Sequence, residues 1–253
     1  MAQGFRAANR PDPRLDHDLK TCFLLQQQNR GYKNLDPNVK QQKALPLTVL
    51  RYLDSHALSA KDKAISKLCI GATFFAMRSC EYSKTCLLEE SKRTKIIRLR
   101  NLRFFFNNRE IPHSSPFLHR ANYLCITFEF QKSDERHESV GMHNTKDPIL
   151  CPVKAWAHTV RRILAYPNTT PDSTVNTFLS PSSKAPPTQI SSTSIRNTLR
   201  STVRAIGKDT LGFTADDIGT HSLRSGAAMA MYLAKVPTYT IMIIGRWSSD
   251  AFF

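Results

Sequence analysis

From Leu45 onward the hydrophobic positions switch between two periods, and each switch marks a predicted element. Leu50, Leu53 and the stretch from His56 to Leu58 recur at helical spacing, with Pro46 suited to a first turn. A longer helix is predicted from about Ala60 to Met77, because Ile65, Leu68, Cys69, Ala72, Phe75 and Ala76 fall three and four apart. Arg78 stands at its end. The pattern then turns strand-like. Ile96 to Phe106 is rich in Ile, Leu, Phe and Arg. Between Tyr123 and Phe130, Leu124, Ile126, Phe128 and Phe130 face one way, and Cys125, Thr127 and Glu129 the other. Gln131 to Glu135 reads as a hairpin turn and Arg136 to Met142 as the return strand.

Helical spacing resumes at Val153 to Ala165, with Pro152 as the first helical residue. Ser180 to Thr188, with three prolines, is a loop. Ser191 to Ser194 supplies a cap for a helix whose Ile195, Leu199, Val203 and Ile206 share a face and which Gly207 stops. The last helices cover roughly His221 to Ala234 and Pro237 to Ile244. Residues 1 to about 43 are polar, with glutamine runs and two Asp-Pro pairs. They read as a linker or the remnant of a preceding domain. The expected class is α+β, mainly helical, with a small antiparallel sheet inserted early, in one domain over residues 44–253.

Charge narrows the partners. The chain carries 36 Lys and Arg against 20 Asp and Glu, a formal net charge of +16. A folded domain this basic is expected to meet a polyanion, and nucleic acid leads. The densest positive stretch runs from Lys92 through Arg98, Arg100 and Arg103, and Arg196, Arg200 and Arg204 form a stripe spaced by four. Both are expected to contact phosphates, although a solvated face explains the first almost as well. The six cysteines include no C-x-x-C pair, so neither a zinc site nor a disulfide scaffold is expected. The polar first twenty residues are unlike a signal peptide, and the apolar run Leu68 to Met77 is too short to span a membrane. An intracellular location is expected, the nucleus in a eukaryote or the cytoplasm in a prokaryote, with no membrane partner.

Five residues have types suited to phosphoryl transfer onto a protein side chain. Arg78 and Glu81 are three apart in A-M-R-S-C-E. Lys132 lies at the tip of the predicted hairpin, with Lys146 as an alternative. His221 and Arg224 form H-x-x-R, followed by the small residues Ser225 to Ala228, and I-M-I-I-G-R-W ends at Trp247. Each signal alone has a plain structural explanation: a helix-end ion pair, a solvated lysine, a packed tryptophan. In order and at these separations they resemble the catalytic domain of the tyrosine recombinases, the Cre-like enzymes that cut and rejoin DNA.

That resemblance covers about Leu45 to Phe253. It implies a DNA breaking-and-rejoining fold in which Arg78 and Arg224 hold the phosphate, Lys132 is general acid, and His221 and Trp247 complete the site. It implies DNA as partner, self-association on DNA in a longer protein, and neither metal nor other cofactor. A nucleophilic tyrosine is expected eight or nine residues after Trp247, beyond Phe253; Tyr232 and Tyr239 fit helix faces better. The alternative is a catalytically inactive DNA-binding remnant of a mobile element. A type IB topoisomerase, with similar chemistry, fits the Gly-Arg-Trp turn less well.

Overall fold

The computed structural model describes residues 42–84, 96–129, 137–180 and 186–247. The expectation for residues 1–43 lies outside them, apart from its last two positions. From Gln42 the described residues belong to one compact unit. Its helices are α1 (Leu47–Ser55), α2 (Ala60–Phe74), α3 (Ser79–Tyr82), α4 (Pro152–Leu164), α5 (Ser192–Ile206), α6 (Lys208–Leu211), α7 (His221–Leu233) and α8 (Thr238–Gly245). A four-stranded antiparallel sheet has the order β2-β1-β3-β4, with β1 Leu102–Phe106, β2 Arg109–Ile111, β3 Tyr123–Phe128 and β4 Glu138–His143. A two-residue pair, β5 (Thr177–Phe178) and β6 (Thr188–Gln189), lies apart from it. The class is therefore α+β, with helices around a small antiparallel sheet.

Alternation sets the sheet's buried face. Leu102, Phe104, Leu124, Ile126, Phe128 and Val140 point into the core, and the register stacks Leu102 on Ile126 and Phe104 on Leu124. The turn from β1 to β2 uses Asn107 and Asn108, both at positive φ (48° and 62°), a conformation that asparagine tolerates better than most residues. The predicted strand over Ile96 to Phe106 is shorter than expected. A 3-10 turn at Leu99–Asn101 precedes it, where Asn101 Oδ1 accepts from the Arg98 backbone N–H at 2.8 Å.

The helices follow the predicted faces. Ser59 caps α2, accepting from Asp62 N at 3.0 Å, and Pro152 occupies the first position of α4. Ser191 caps α5, and Gly207 ends it at φ 92°. α2 and α4 pack so closely that a Cβ on Gly71 would lie 2.6 Å from the Trp156 indole.

α7 crosses the segment before α1. Leu45 N donates to Ser222 O at 3.0 Å, and a Cβ on Gly226 would lie 2.1 Å from Leu45 O. Backbone cannot yield as a side-chain tip can. Gly226→Ala is therefore expected to cost about 1–3 kcal/mol or more in urea unfolding. A cost under about 0.5 kcal/mol would show that the two segments separate easily.

Candidate functional site

The helix predicted to reach Met77 ends at Phe74. Ala76 takes φ 43°, in the left-handed region, which costs an alanine roughly 1–2 kcal/mol. The turn redirects the chain so that Arg78 precedes α3 rather than ending α2. Glu81, in α3 and 1% exposed, accepts from the Arg78 backbone N–H at 2.7 Å. The same carboxylate takes Arg78 Nη1 at 3.3 Å and Arg246 Nη2 at 2.8 Å.

Three arginines meet here from distant parts of the chain. Arg224, one turn into α7 and buried, donates to the carbonyls of Ala76 and Gly245. Arg246, in the left-handed conformation at the end of α8, donates to Phe75 O at 3.3 Å and Ile244 O at 3.2 Å, and its guanidinium lies 3.5 Å from the Phe128 ring centre. Arg78 Nη2 donates to Arg246 O at 3.1 Å. The arginines thus gather backbone carbonyls from the ends of α2 and α8, where helices leave such groups without intrahelical partners.

Trp247 lies over Arg224, with the guanidinium carbon 4.1 Å from its ring centre. The ring position depends on Gly245, where a Cβ would fall 1.6 Å from Trp247 Cζ3. His221 opens α7 and is an exposed residue whose ring is partly dehydrated. Arg78, His221 and Trp247 are the more accessible members and Arg224 the buried one.

Charge is unbalanced among these groups. One carboxylate, Glu81, bonds two of the three guanidiniums. Burial pushes the Arg224 pKa down to about 9, Arg78 and Arg246 push it further the same way, and Glu81 and Cys80 oppose. Arg246 moves in the same direction, chiefly by burial and with help from Arg78, against Glu81 and Glu138. A guanidinium keeps its proton in proteins, so the site holds excess positive charge in a desolvated place.

His221 is shifted downward by loss of hydration around part of its ring, then by Arg224. In a histidine titration followed by NMR its midpoint should fall below the ordinary value of about 6.5. The unfolded chain then takes this proton first. Between about 6.5 and the lower folded midpoint this group makes stability fall as pH falls. A midpoint at or above about 6.5 would contradict the proximity to Arg224.

Of the residues singled out from the sequence, Arg78, Arg224 and Trp247 are brought together, and His221 is one helical turn from Arg224. Lys132 lies outside the described residues. β3, which leads toward it, ends at Phe128 against Arg246. Lys146 is exposed in the loop after β4.

The proposed DNA-contacting arginines divide. Arg98 Nη1 pairs with Asp172 at 2.9 Å. Arg100 binds both oxygens of Glu129, at 3.1 and 3.0 Å, and also pairs with Asp172. Their charge is directed at internal carboxylates. Arg200 turns inward, with Nε donating to Ile218 O at 2.9 Å, whereas Arg196 and Arg204 are exposed on α5.

Arg246 was not singled out from the sequence, although it stands inside the Gly-Arg-Trp turn; an arginine between the apolar run Ile241 to Ile244 and Trp247 was its signal. Among the described residues there is no group of His, Cys, Asp and Glu able to hold a metal ion, none of the four described cysteines forms a disulfide, and no helix is long and apolar enough to cross a membrane. No model of a known protein family matches the chain, and no curated protein matches it.

Proposed function

We propose that this protein binds DNA and holds one backbone phosphate at Arg78, Arg224 and Trp247, as the catalytic domain of a tyrosine recombinase does. The observation that carries the proposal is the gathering of cations: three guanidiniums meet around buried Glu81, which bonds two of them, although Arg78 and Arg246 are 168 residues apart. Such a cluster is more stable with a further anion. A phosphodiester supplies one, and its oxygens suit the arginine fork. The net charge of +16 favours a polyanionic partner over a small neutral one. Helices around a small antiparallel sheet are consistent with the recombinase fold.

In this reading a tyrosine hydroxyl gives up its proton to a base and its oxygen attacks phosphorus, the DNA 5′ oxygen leaves, and a 3′-phosphotyrosyl bond preserves the energy of the broken phosphodiester. Arg78 and Arg224 stabilise the five-coordinate phosphorus more than the substrate. Two Arg224 donors serve carbonyls, and a guanidinium carries five N–H groups in all. Lys132 protonates the leaving 5′ oxygen. Trp247 lies over Arg224 and holds its guanidinium plane. Arg246 has a supporting part: it balances Glu81 and binds the turn after α2.

Residues 248–253 are Ser-Ser-Asp-Ala-Phe-Phe and include no tyrosine. The arginine cluster supplies positive charge and no attacking oxygen, so it also fits a second reading, DNA binding without strand cleavage. Incubated with nicked labelled DNA and run on a denaturing gel, this 253-residue chain should form no covalent band, although it binds the same DNA under native conditions. A covalent band would make Tyr232, Tyr239 or another residue the nucleophile, and the roles of Arg78, Lys132, Arg224 and Trp247 would be misassigned.

A further inference from the structure

A second cationic concavity lies at the other end of α2. The arginine cluster gathers the carbonyls that follow Phe74. Lys63, in the first turn of the same helix, is about 17 Å away along the axis, at 1.5 Å per residue. There a cavity of about 630 Å³ is lined by Ala60 and Lys63 of α2, His119 of the turn before β3, and Lys154, Ala157, His158, Arg161 and Arg162 of α4. No acidic side chain lines it among the described residues.

The cations stand in register. Lys154, Ala157, His158 and Arg161 are three and four apart, so they share one face of α4 over about two turns. The two alanines keep the floor shallow and apolar. The nearby acids are engaged elsewhere: Asp54 with Lys67 at 2.7 Å, and Asp147 with Arg51 at 2.7 Å. Arg162 is held in the wall by Tyr166 Oη at 2.9 Å and by the Thr177 carbonyl at 2.5 Å. Lys154 Nζ has one long bond, 3.4 Å to Asp147 O, and Lys63 and Arg161, both exposed, line the same cavity.

From this placement we infer that the cavity binds a small oligophosphate, a ligand with several adjacent phosphate groups. Flexible lysines and an arginine along two helical turns match a row of phosphates, which accept charge-assisted bonds from each. A concavity of this volume suits a compact ligand better than the convex side of a duplex. The groups facing His158 fit the same ligand: loss of hydration, then Lys67, Arg162 and Arg161, lower its pKa, and Asp54 opposes them. A bound oligophosphate would reverse that repulsion. The inference does not depend on whether Arg78 and Arg224 hold DNA.

The test is an NMR titration of the 253-residue chain with inorganic tripolyphosphate, following the ring signals of His119 and His158. Both should move together and saturate, and the His158 midpoint should rise. Lys154→Gln with Arg161→Gln should weaken binding at least about tenfold, since two charge-assisted bonds are lost. Thermal unfolding should be unchanged, because both side chains are exposed. Arg78→Gln should leave these ring shifts as they were. Three results would overturn the inference. The rings do not move; the double variant binds as before; or a short DNA duplex moves the rings at lower concentration than tripolyphosphate, which would make the cavity part of a nucleic-acid surface.

Discussion

Glu81→Gln should destabilise the protein by about 3–5 kcal/mol, the range expected when one member of a buried ion pair is removed. Glu81 and Arg246 have 2% and 1% of their side chains exposed and meet at 2.8 Å. The amide keeps the size of the carboxylate and can still accept from the Arg78 backbone N–H. It removes the charge that offsets Arg246 and part of Arg78. Three guanidiniums would then lie together without the Glu81 charge, with Glu138 still acting on Arg246. Against a typical total stability of about 5–15 kcal/mol this is a large fraction. Combining Glu81→Gln with Arg246→Met should recover part of the loss, because the uncompensated charge goes too. Urea unfolding of the single and double variants measures both. A loss under about 1 kcal/mol for Glu81→Gln would show that water or another group, rather than this carboxylate, carries the counter-charge.

The elements that bury a regular face were legible in the sequence. Leu124, Ile126 and Phe128 alternate and are all buried in β3; Ile195, Leu199 and Val203 recur by four and are the buried face of α5. Caps were legible where the capping group is local, as at Ser191 and Pro152. β2 was missed because three residues, Arg109 to Ile111, are too few to show a period of two. The break after α2 was missed because alanine is the best helix former, so Ala76 carries no local sign of its left-handed turn. That turn is set from afar, by Arg224 and Arg246 bonding to the Ala76 and Phe75 carbonyls.

For the site, residue type and order pointed to Arg78, Arg224 and Trp247. Spacing alone could not show that Arg246 completes the cluster or that Arg98 and Arg100 are paired with Asp172 and Glu129. Ion pairing across 29 to 74 residues leaves no short-range pattern to read.

Duplex DNA should bind this chain with a steep salt dependence. A protein contacting six or more phosphates loses on the order of a thousandfold in affinity between roughly 50 and 200 mM salt. In the proposed reading, the exposed arginines of α5, the rest of the positive excess and the arginine cluster would supply such contacts. Arg78 is the informative residue, because it is half-buried at the rim and its loss leaves the Glu81–Arg246 pair in place. The decisive measurement is the slope of log affinity against log salt for the native chain and for Arg78→Gln, on the same duplex. A phosphate held at the cluster predicts a steep native slope and a variant slope shallower by about one unit, with weaker binding to every DNA sequence alike. No binding at low salt, or an Arg78→Gln slope equal to the native one, would contradict a DNA phosphate at this site.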